Sequence, residues 1–276
     1  MQRTLTIIGA GKVGRTLGRL WASNQTFQIQ DVLNRSLESA RRAVTFIGNG
    51  TAVGAYADLR PAGIYLIAVG DDQIAACCDE LVRSGNLSSE SIVFHCSGAL
   101  RSTELQAATL PGASVASIHP IRSFAVPEQV AQEFSGTYCG IEGDARAVDI
   151  LSEAFSAIGA RMVTINADTK ILYHAAAVFA CNYLTTLLDV AQQTYARAGI
   201  PADIALELMA PLVRETIDNV FRIGPAAALT GPIARGDFAT AARQQDAIAD
   251  WNQDYGALYQ QLAKLTADLA ARRKQP

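Results

Sequence analysis

The stretch 5-LTIIGAGKVGRTLGRLW-21 decides how the chain is read: an apolar run breaks into Gly9, Gly11 and Gly14 and resumes as an amphipathic segment. A bare G-x-G-x-x-G is weak evidence, because glycines cluster in many turns. It gains meaning when a strand precedes it, a helix follows it, and a second strand ends about 20 residues beyond the last glycine. All three conditions hold. Thr4 to Ile8 reads as a strand, Val13 to Ser23 as a helix and Phe27 to Leu33 as a second strand. Gly9 then permits the tight turn, Gly11 lets the backbone approach a pyrophosphate, and Gly14 allows close helix-to-strand packing. The helix N-terminus adds unpaired N–H groups, so Gly9, Ala10, Gly11, Lys12, Val13 and Gly14 form the expected cofactor loop.

The end of the second strand tells nicotinamide cofactors apart, since a carboxylate there bonds the ribose hydroxyls of NAD but repels a 2′-phosphate. The sequence is 31-DVLNRS-36, with Asn34 in the acid's place and Arg35 and Ser36 after it. A guanidinium fork and a hydroxyl suit a phosphate, which predicts NADP. Asp31 serves NAD instead if the strand ends early, with Arg35 then a solvated charge. Farther on, 64-IYLIAV-69 runs into Gly70, so Val69 and Gly70 are expected to line the cofactor. Asp71 and Asp72 read as N-cap and first-turn residues of the next helix.

Short β-branched runs alternate with amphipathic segments through the first half, the pattern of βαβ units. Further strands are expected at Thr51 to Ala55, Ile64 to Val69, Ile92 to Cys96, Ala113 to Ile118, Thr137 to Ile141 and Arg161 to Ile165. Helices are expected at Leu37 to Phe46, Gln73 to Arg83 and Ala145 to Ile158. From Ala167 the rhythm becomes helical: Thr169 to Ala198, Ala202 to Ile223, Phe238 to Ile248 and Asp250 to Lys274. Gly224-Pro225 and Gly231-Pro232 bracket a segment, 224-GPAAALTGPIARGD-237, predicted to be non-helical, with Asp237 as a possible N-cap. The fold class is an α/β doubly wound, mostly parallel sheet followed by an all-α domain, with residues 1–166 forming the first and 167–276 the second.

Half of the 276 residues are hydrophobic, enough for a substantial core. A net charge of -3 without basic blocks argues against nucleic acid and anionic membrane as partners. Cys77, Cys78, Cys96, Cys139 and Cys181 are odd in number and lack C-x-x-C spacing, which points to free thiols and to no metal site. The stretch 175-AAAVFACNYLTTLLDV-190 is interrupted by Asn182, Tyr183 and two threonines, and no signal peptide is evident. A cytoplasmic location is expected.

For chemistry, 92-IVFHCSGALRST-103 delivers Ser97 and Gly98 to the sheet edge, and 117-SIHPIRSF-124 delivers His119. Hydride transfer at a carbon–oxygen or carbon–nitrogen bond needs a proton donor or acceptor, and histidine suits that near neutrality. His119, at a strand end before proline, is the first catalytic candidate, with Ser97 beside it; a purely structural role for His119 is the alternative. His95, inside a strand, reads as a satisfied core residue. His174 shares a helix with Lys170 and Asn182 in a partly polar stripe that faces either a substrate cleft or a subunit interface. Arg122 is a candidate for a substrate carboxylate or a plain surface charge. Thr230 and Arg235 lie in 229-LTGPIARGD-237, which reads as a loop returning to the substrate or as a simple connection.

The strings GAGKVG, NRS, FHCSGAL, SIHPIRSF, YHAAAVFACNYL and LTGPIARGD, in this order and spread over nearly the whole chain, resemble a two-domain family. That family pairs a Rossmann-like NADP oxidoreductase domain with a C-terminal helical domain of unknown function, DUF2520. It is similar to pyrroline-5-carboxylate reductases, deazaflavin-dependent NADP reductases and 6-phosphogluconate dehydrogenase-like hydroxyacid dehydrogenases. The resemblance implies substrate binding between domains and a homodimer formed through the helical domain. Prephenate dehydrogenases in the wider group place a serine and a His-Pro in similarly spaced loops, which implies that Ser97 and His119 flank the substrate. Lys170 and Asn182 stand farther apart than the lysine and asparagine of the hydroxyacid dehydrogenases, so those roles are not carried over. The expectation is an NADP-dependent oxidoreductase acting on a small carbonyl, imine or hydroxy compound. The rival is a non-catalytic NADP(H)-binding sensor or interaction protein.

Overall fold

The computed structural model describes residues 4–273. Its contacts separate into two compact units, Met1–Val178 and Phe179–Pro276. In the first, β1 (Thr4–Ile8) is buried from Leu5 through Ile8. A strand covered on both faces is apolar throughout rather than alternating, as this run is. Beside it lie β2 (Gln28–Leu33) and β4 (Ile64–Ile67), both parallel to it. With β3 (Thr51–Val53), β5 (Ile92–His95), β6 (Ser114–Pro120), β7 (Tyr138–Gly143) and β8 (Arg161–Thr164) they form an eight-stranded sheet in the order β3-β2-β1-β4-β5-β6-β7-β8. The order reverses between β1 and β4, the switch point at which open α/β sheets bind ligands. Among the described residues, only the β6–β7 pair is antiparallel.

Side chains from alternate positions feed two cores, one on each face. Leu5, Ile7, Leu66 and Phe94 enter the first with α1 (Lys12–Ser23), α2 (Leu37–Ile47), α4 (Pro127–Gln132) and α5 (Ala145–Ala157). Ile8, Tyr65, Ile67 and Val93 enter the second with α3 (Ile74–Arg83) and a 3₁₀ segment, Ser102–Thr109. Trp21 on α1 anchors the first core. It packs edge-on against Phe27, Phe94 and Phe155 and donates its indole N–H to the Ala154 carbonyl at 3.0 Å.

The second unit is helical. A continuous run comprises α6 (Lys170–Ala177), which still belongs to the first unit, a π-helical turn (Val178–Tyr183) and α7 (Leu184–Arg197). Thr169–Ala198 is therefore not one regular α-helix. Then come α8 (Ala202–Ile223), α9 (Pro225–Ala228), α10 (Pro232–Arg235), α11 (Phe238–Ala249) and α12 (Gln253–Arg272). The expected end of the last helix, Lys274, lies outside the described residues. The segment 224–237 was expected to be non-helical, yet it holds the one-turn helices α9 and α10. Proline occupies the first turn of each, where its missing N–H costs nothing, so Gly-Pro opens each turn. Asp237 caps α11 by accepting the Thr240 amide at 3.1 Å.

All five cysteines are free thiols. The helical run Ala167–Arg197 is long and apolar enough to cross a membrane by length and composition, and 0% of that window is buried.

Trp21→Ala removes the centre of the aromatic cluster and the bond to α5. Chemical denaturation should show a loss of about 3–5 kcal/mol of stability.

Candidate active site at the sheet edge

The glycine loop follows β1. Gly9 adopts φ 84°, and a Cβ there would come within 2.4 Å of Val69 Cγ1; one at Gly14 would come within 2.8 Å of the Gly9 carbonyl oxygen. Internal packing therefore explains these two glycines. It does not explain Gly11, where a Cβ would meet nothing within 4 Å. Bare backbone facing open space at a helix N-terminus is what close approach by a phosphate requires. Lys12, exposed, and Val13 begin α1, ahead of the first intrahelical bond from Arg15 N to the Gly11 carbonyl at 3.1 Å.

β2 extends to Leu33, and Asp31 is fully buried within it. Its carboxylate accepts from the Arg60 backbone at 2.8 Å and the Arg60 guanidinium at 2.6 Å. That commitment removes Asp31 as a ribose ligand. Asn34 stands at the strand end, but its amide also braces the loop. Its Oδ1 accepts from Ala10 N at 2.6 Å and its Nδ2 donates to Ser39 Oγ at 3.0 Å. Arg35 is exposed and makes no hydrogen bond or ion pair among the described residues. Ser36 caps α2 by accepting the Ser39 amide at 3.2 Å. Val69 packs over Gly9, and Gly70 is exposed at the end of the segment after β4.

At the ends of β5 and β6 a second group gathers. Ser97 Oγ donates to Asp71 Oδ2 at 2.8 Å and accepts from the amides of Leu100 at 2.9 Å and Ala99 at 3.2 Å. A hydroxyl has one donor and two lone pairs, so in this arrangement Ser97 is saturated and shapes the loop. Asp71, expected as a helix cap, instead holds this hydroxyl; no side-chain cap is present at that 3₁₀ turn.

His95 is fully buried. Its Nδ1 accepts from Ser97 N at 3.1 Å, so its Nε2 donates to the Arg101 carbonyl at 2.9 Å. His119, on β6, has Nδ1 3.1 Å from the Tyr173 hydroxyl, and its ring lies edge-to-face with that of His174 at 5.3 Å. Gly98 makes this meeting possible. A Cβ there would lie 2.2 Å from His174 Nδ1 and 2.9 Å from His119 Cε1. His174 Nδ1 is buried without a hydrogen-bond partner.

Beneath the imidazoles sits an ion pair. Lys170 is fully buried; its Nζ bonds Glu142 Oε1 at 3.0 Å and also Ser117 Oγ. Glu142 further accepts from Ser102 N at 2.8 Å and Ser102 Oγ at 2.7 Å. Burial pushes the Lys170 amine down from its ordinary range, with the Glu142 carboxylate opposing. Burial, followed by the nearby His174 and Lys170 charges, lowers His119 to about 4, against a smaller opposing influence of Asp71. Burial likewise takes His95 to about 4. The imidazole of His119 is therefore neutral at pH 7.

Other expected site residues stand elsewhere. Arg122 ion-pairs with Glu133 at 3.1 Å and donates to the Glu133 carbonyl, a commitment that accounts for its charge. Asn182 in the π turn and Thr230 and Arg235 around α10 are exposed members of the helical unit. That unit holds an apolar hollow of about 460 Å³ lined by Leu187, Val190, Tyr195, Tyr255, Tyr259 and Leu262 among others. No carboxylate, imidazole or amine lines it, so it offers little for catalysis.

Sequence reasoning brought Gly98 to the sheet edge without its close packing on the two imidazoles, and passed over Tyr173, Glu142 and Ser117. A lone carboxylate within the apolar run 138-YCGIEG-143 was the available signal for Glu142, since buried charge needs a partner. Tyr173 had none beyond its place beside His174.

Residues 2–120 match the Rossmann-like domain family, and residues 137–266 match the domain of unknown function DUF2520. The chain joins a Rossmann-like domain to a DUF2520 domain. Protein TM1727 from Thermotoga maritima is 26% identical, with 98% of this chain and 100% of that one covered and a TM-score of 0.76. BF3122 of Bacteroides fragilis, assigned as an NADP oxidoreductase, is 23% identical over 96% and 98% of the two chains, with a TM-score of 0.76. An imine reductase from Myxococcus stipitatus in complex with NADP+ is 14% identical over 98% and 93%, with a TM-score of 0.65. No curated protein matches the sequence. In this DUF2520 chain the imidazole pair draws on both domain families: His119 lies in the Rossmann-like match, Tyr173 and His174 in the DUF2520 match.

The buried histidines give the fold an acid-side sensitivity. His95 and His119 ionise near 6.5 when unfolded but near 4 when folded, so below about 6.5 the unfolded chain binds protons that the folded one refuses. Stability should fall as pH drops from about 6.5 to about 4, and urea titrations of His95→Gln should show a shallower fall through that window.

Proposed function

We propose that the protein is an NADP(H)-dependent oxidoreductase acting on a small carbonyl, imine or hydroxy compound beside His119 and His174. The observation that carries the reading is the cofactor end: Gly11 opens onto space at the N-terminus of α1 while Asp31 is sequestered by Arg60. The carboxylate that would repel a 2′-phosphate is thus withdrawn, and Arg35, Ser36 and the first turn of α2 are left to receive it. BF3122 and the imine reductase, whose names carry NADP, are consistent with this choice. The Lys12 and Val13 amides would hold the pyrophosphate, with Val69 and Gly70 lining the cofactor beside the loop.

When bound, the nicotinamide supplies or accepts a hydride. The chain's own groups bind and orient the reacting bond. His119 presents a neutral imidazole to it, His174 packs against that ring, and Ser97 with Asp71 fixes the loop that carries Gly98. Fluorescence titration should show NADPH binding more tightly than NADH. Arg35→Ala should weaken NADPH about ten- to a hundredfold, the worth of a charge-assisted hydrogen bond, and leave NADH unchanged. Equal NADPH affinity in the variant would remove Arg35 from the site.

The reading extends to a homodimer formed through the helical unit. α8 exposes Ile204, Leu206, Leu208, Leu212, Phe221 and Ile223, and the preceding helical run exposes Phe179 and Tyr183. Apolar surface of that extent marks an interface, and a second copy is the occupant that the family resemblance implies. Sedimentation should give twice the chain mass for the native protein and the single-chain mass for Leu212→Glu/Phe221→Glu. Recovery of the native protein only with lipid or detergent would instead point to a membrane.

A further inference from the structure

The hydrogen bond between His119 and Tyr173 has a direction, and that direction restricts the substrate. Tyr173 carries one phenolic proton, and His119 Nδ1, 3.1 Å away, is its hydrogen-bond partner among the described residues. Gly140 makes room for the phenol, since a Cβ there would lie 2.7 Å from its oxygen. The phenolic proton has no other acceptor among the described residues, so the O–H points at the imidazole. The phenol keeps that proton, because burial pushes it up to about 12. Nδ1 therefore accepts, and a neutral imidazole that accepts at Nδ1 carries its proton at Nε2.

Nε2 of His119 has no partner among the described residues and is not among the buried unpartnered atoms, so it opens onto accessible space. The rest of the ring is held. His174 packs on it edge-to-face and Gly98 sits against Cε1. Tyr173 and His174 are consecutive on α6, whose first residue is the buried Lys170, so their register against β6 and β7 is set by the Lys170–Glu142 pair.

We infer that Tyr173 is a positioning residue holding His119 in its Nε2–H form, and that the site therefore takes a substrate presenting a hydrogen-bond acceptor: a carbonyl oxygen or imine nitrogen. A fixed N–H donor stabilises negative charge developing on such an atom. It can bond to the lone pair of an alcohol or amine but cannot accept the proton that oxidation of such a compound releases. This is a hydrogen bond rather than a proton transfer, and its substrate consequence rests on the oxidoreductase reading.

The test uses the full chain labelled with ¹⁵N-histidine. Long-range ¹H–¹⁵N correlation reports which ring nitrogen is protonated, and the His119 signals are assigned by their loss in His119→Gln. The expected result is a single Nε2–H form in the native protein and a tautomer mixture in Tyr173→Phe. In parallel, NADPH oxidation across a panel of ketones, keto acids and cyclic imines should show kcat about tenfold lower in Tyr173→Phe, the kinetic equivalent of one hydrogen bond, with NADPH affinity unchanged. A protonated Nδ1 in the native protein overturns the inference, as does a Tyr173→Phe spectrum identical to it. Turnover confined to alcohols overturns the substrate assignment. If the tautomer behaves as expected while NADPH fails to bind, the oxidoreductase reading falls and the Tyr173–His119 assignment stands. Should Tyr173→Phe fail to fold, the native spectrum alone decides.

Discussion

The ammonium of Lys170 and the carboxylate of Glu142, both withdrawn from water, are the constraint on which the candidate site rests. Burying two charges costs several kcal/mol per ion unless geometry and further hydrogen bonds compensate, and here Ser117 and both donors of Ser102 take up the remaining capacity. The pair joins α6, β6, β7 and the segment after β5. Those elements also carry Tyr173 and His174, His119, Gly140 and Gly98. Two imidazoles meet over a glycine because an ion pair below them fixes how far the helix advances along the sheet.

The same pair shapes the electrostatics above it. Burial disfavours a charge on His119 most strongly, and the nearby Lys170 ammonium acts in the same direction. The result is a His119 imidazole held neutral at pH 7. His119 can donate a hydrogen bond there without carrying charge, much as Ser97 is held by Asp71 and two backbone amides rather than left free. Orientation is fixed in advance by neighbours, which is how a preorganised site lowers the cost of binding its target.

Much of this was legible in the sequence, for local reasons. The cofactor loop could be read because a strand, three glycines and a helix are contiguous, and its context is local. His119 could be read because a polar residue ending an apolar strand is conspicuous. Asn34 was placed correctly at the strand end, but its bracing bond to Ala10 depends on how the loop folds back. Glu142, Ser117 and Lys170 are separated by tens of residues and meet only once the sheet forms, so no spacing rule connects them. Asp71 looked like a helix cap because caps are read from local order, whereas its partner Ser97 comes from the neighbouring strand's loop. The π turn at Val178–Tyr183 was invisible to a periodicity that averages over whole helices.

The antiparallel entry of β7 has a consequence for modularity. It pairs Gly140 with His119 and closes the side of β6 that would otherwise be an open edge. The Rossmann-like match ends at residue 120, at the end of β6, while β7 falls within the DUF2520 match. The recognisable boundary between the two families therefore runs through a hydrogen-bonded ladder. A chain cut there would expose seven residues of mostly buried strand, an invitation to edge-to-edge association, and would split the imidazoles from their supports. The DUF2520 match thus takes in β7 and β8 of the sheet as well as helices, so the boundary between the two family matches does not coincide with the boundary between the two compact units.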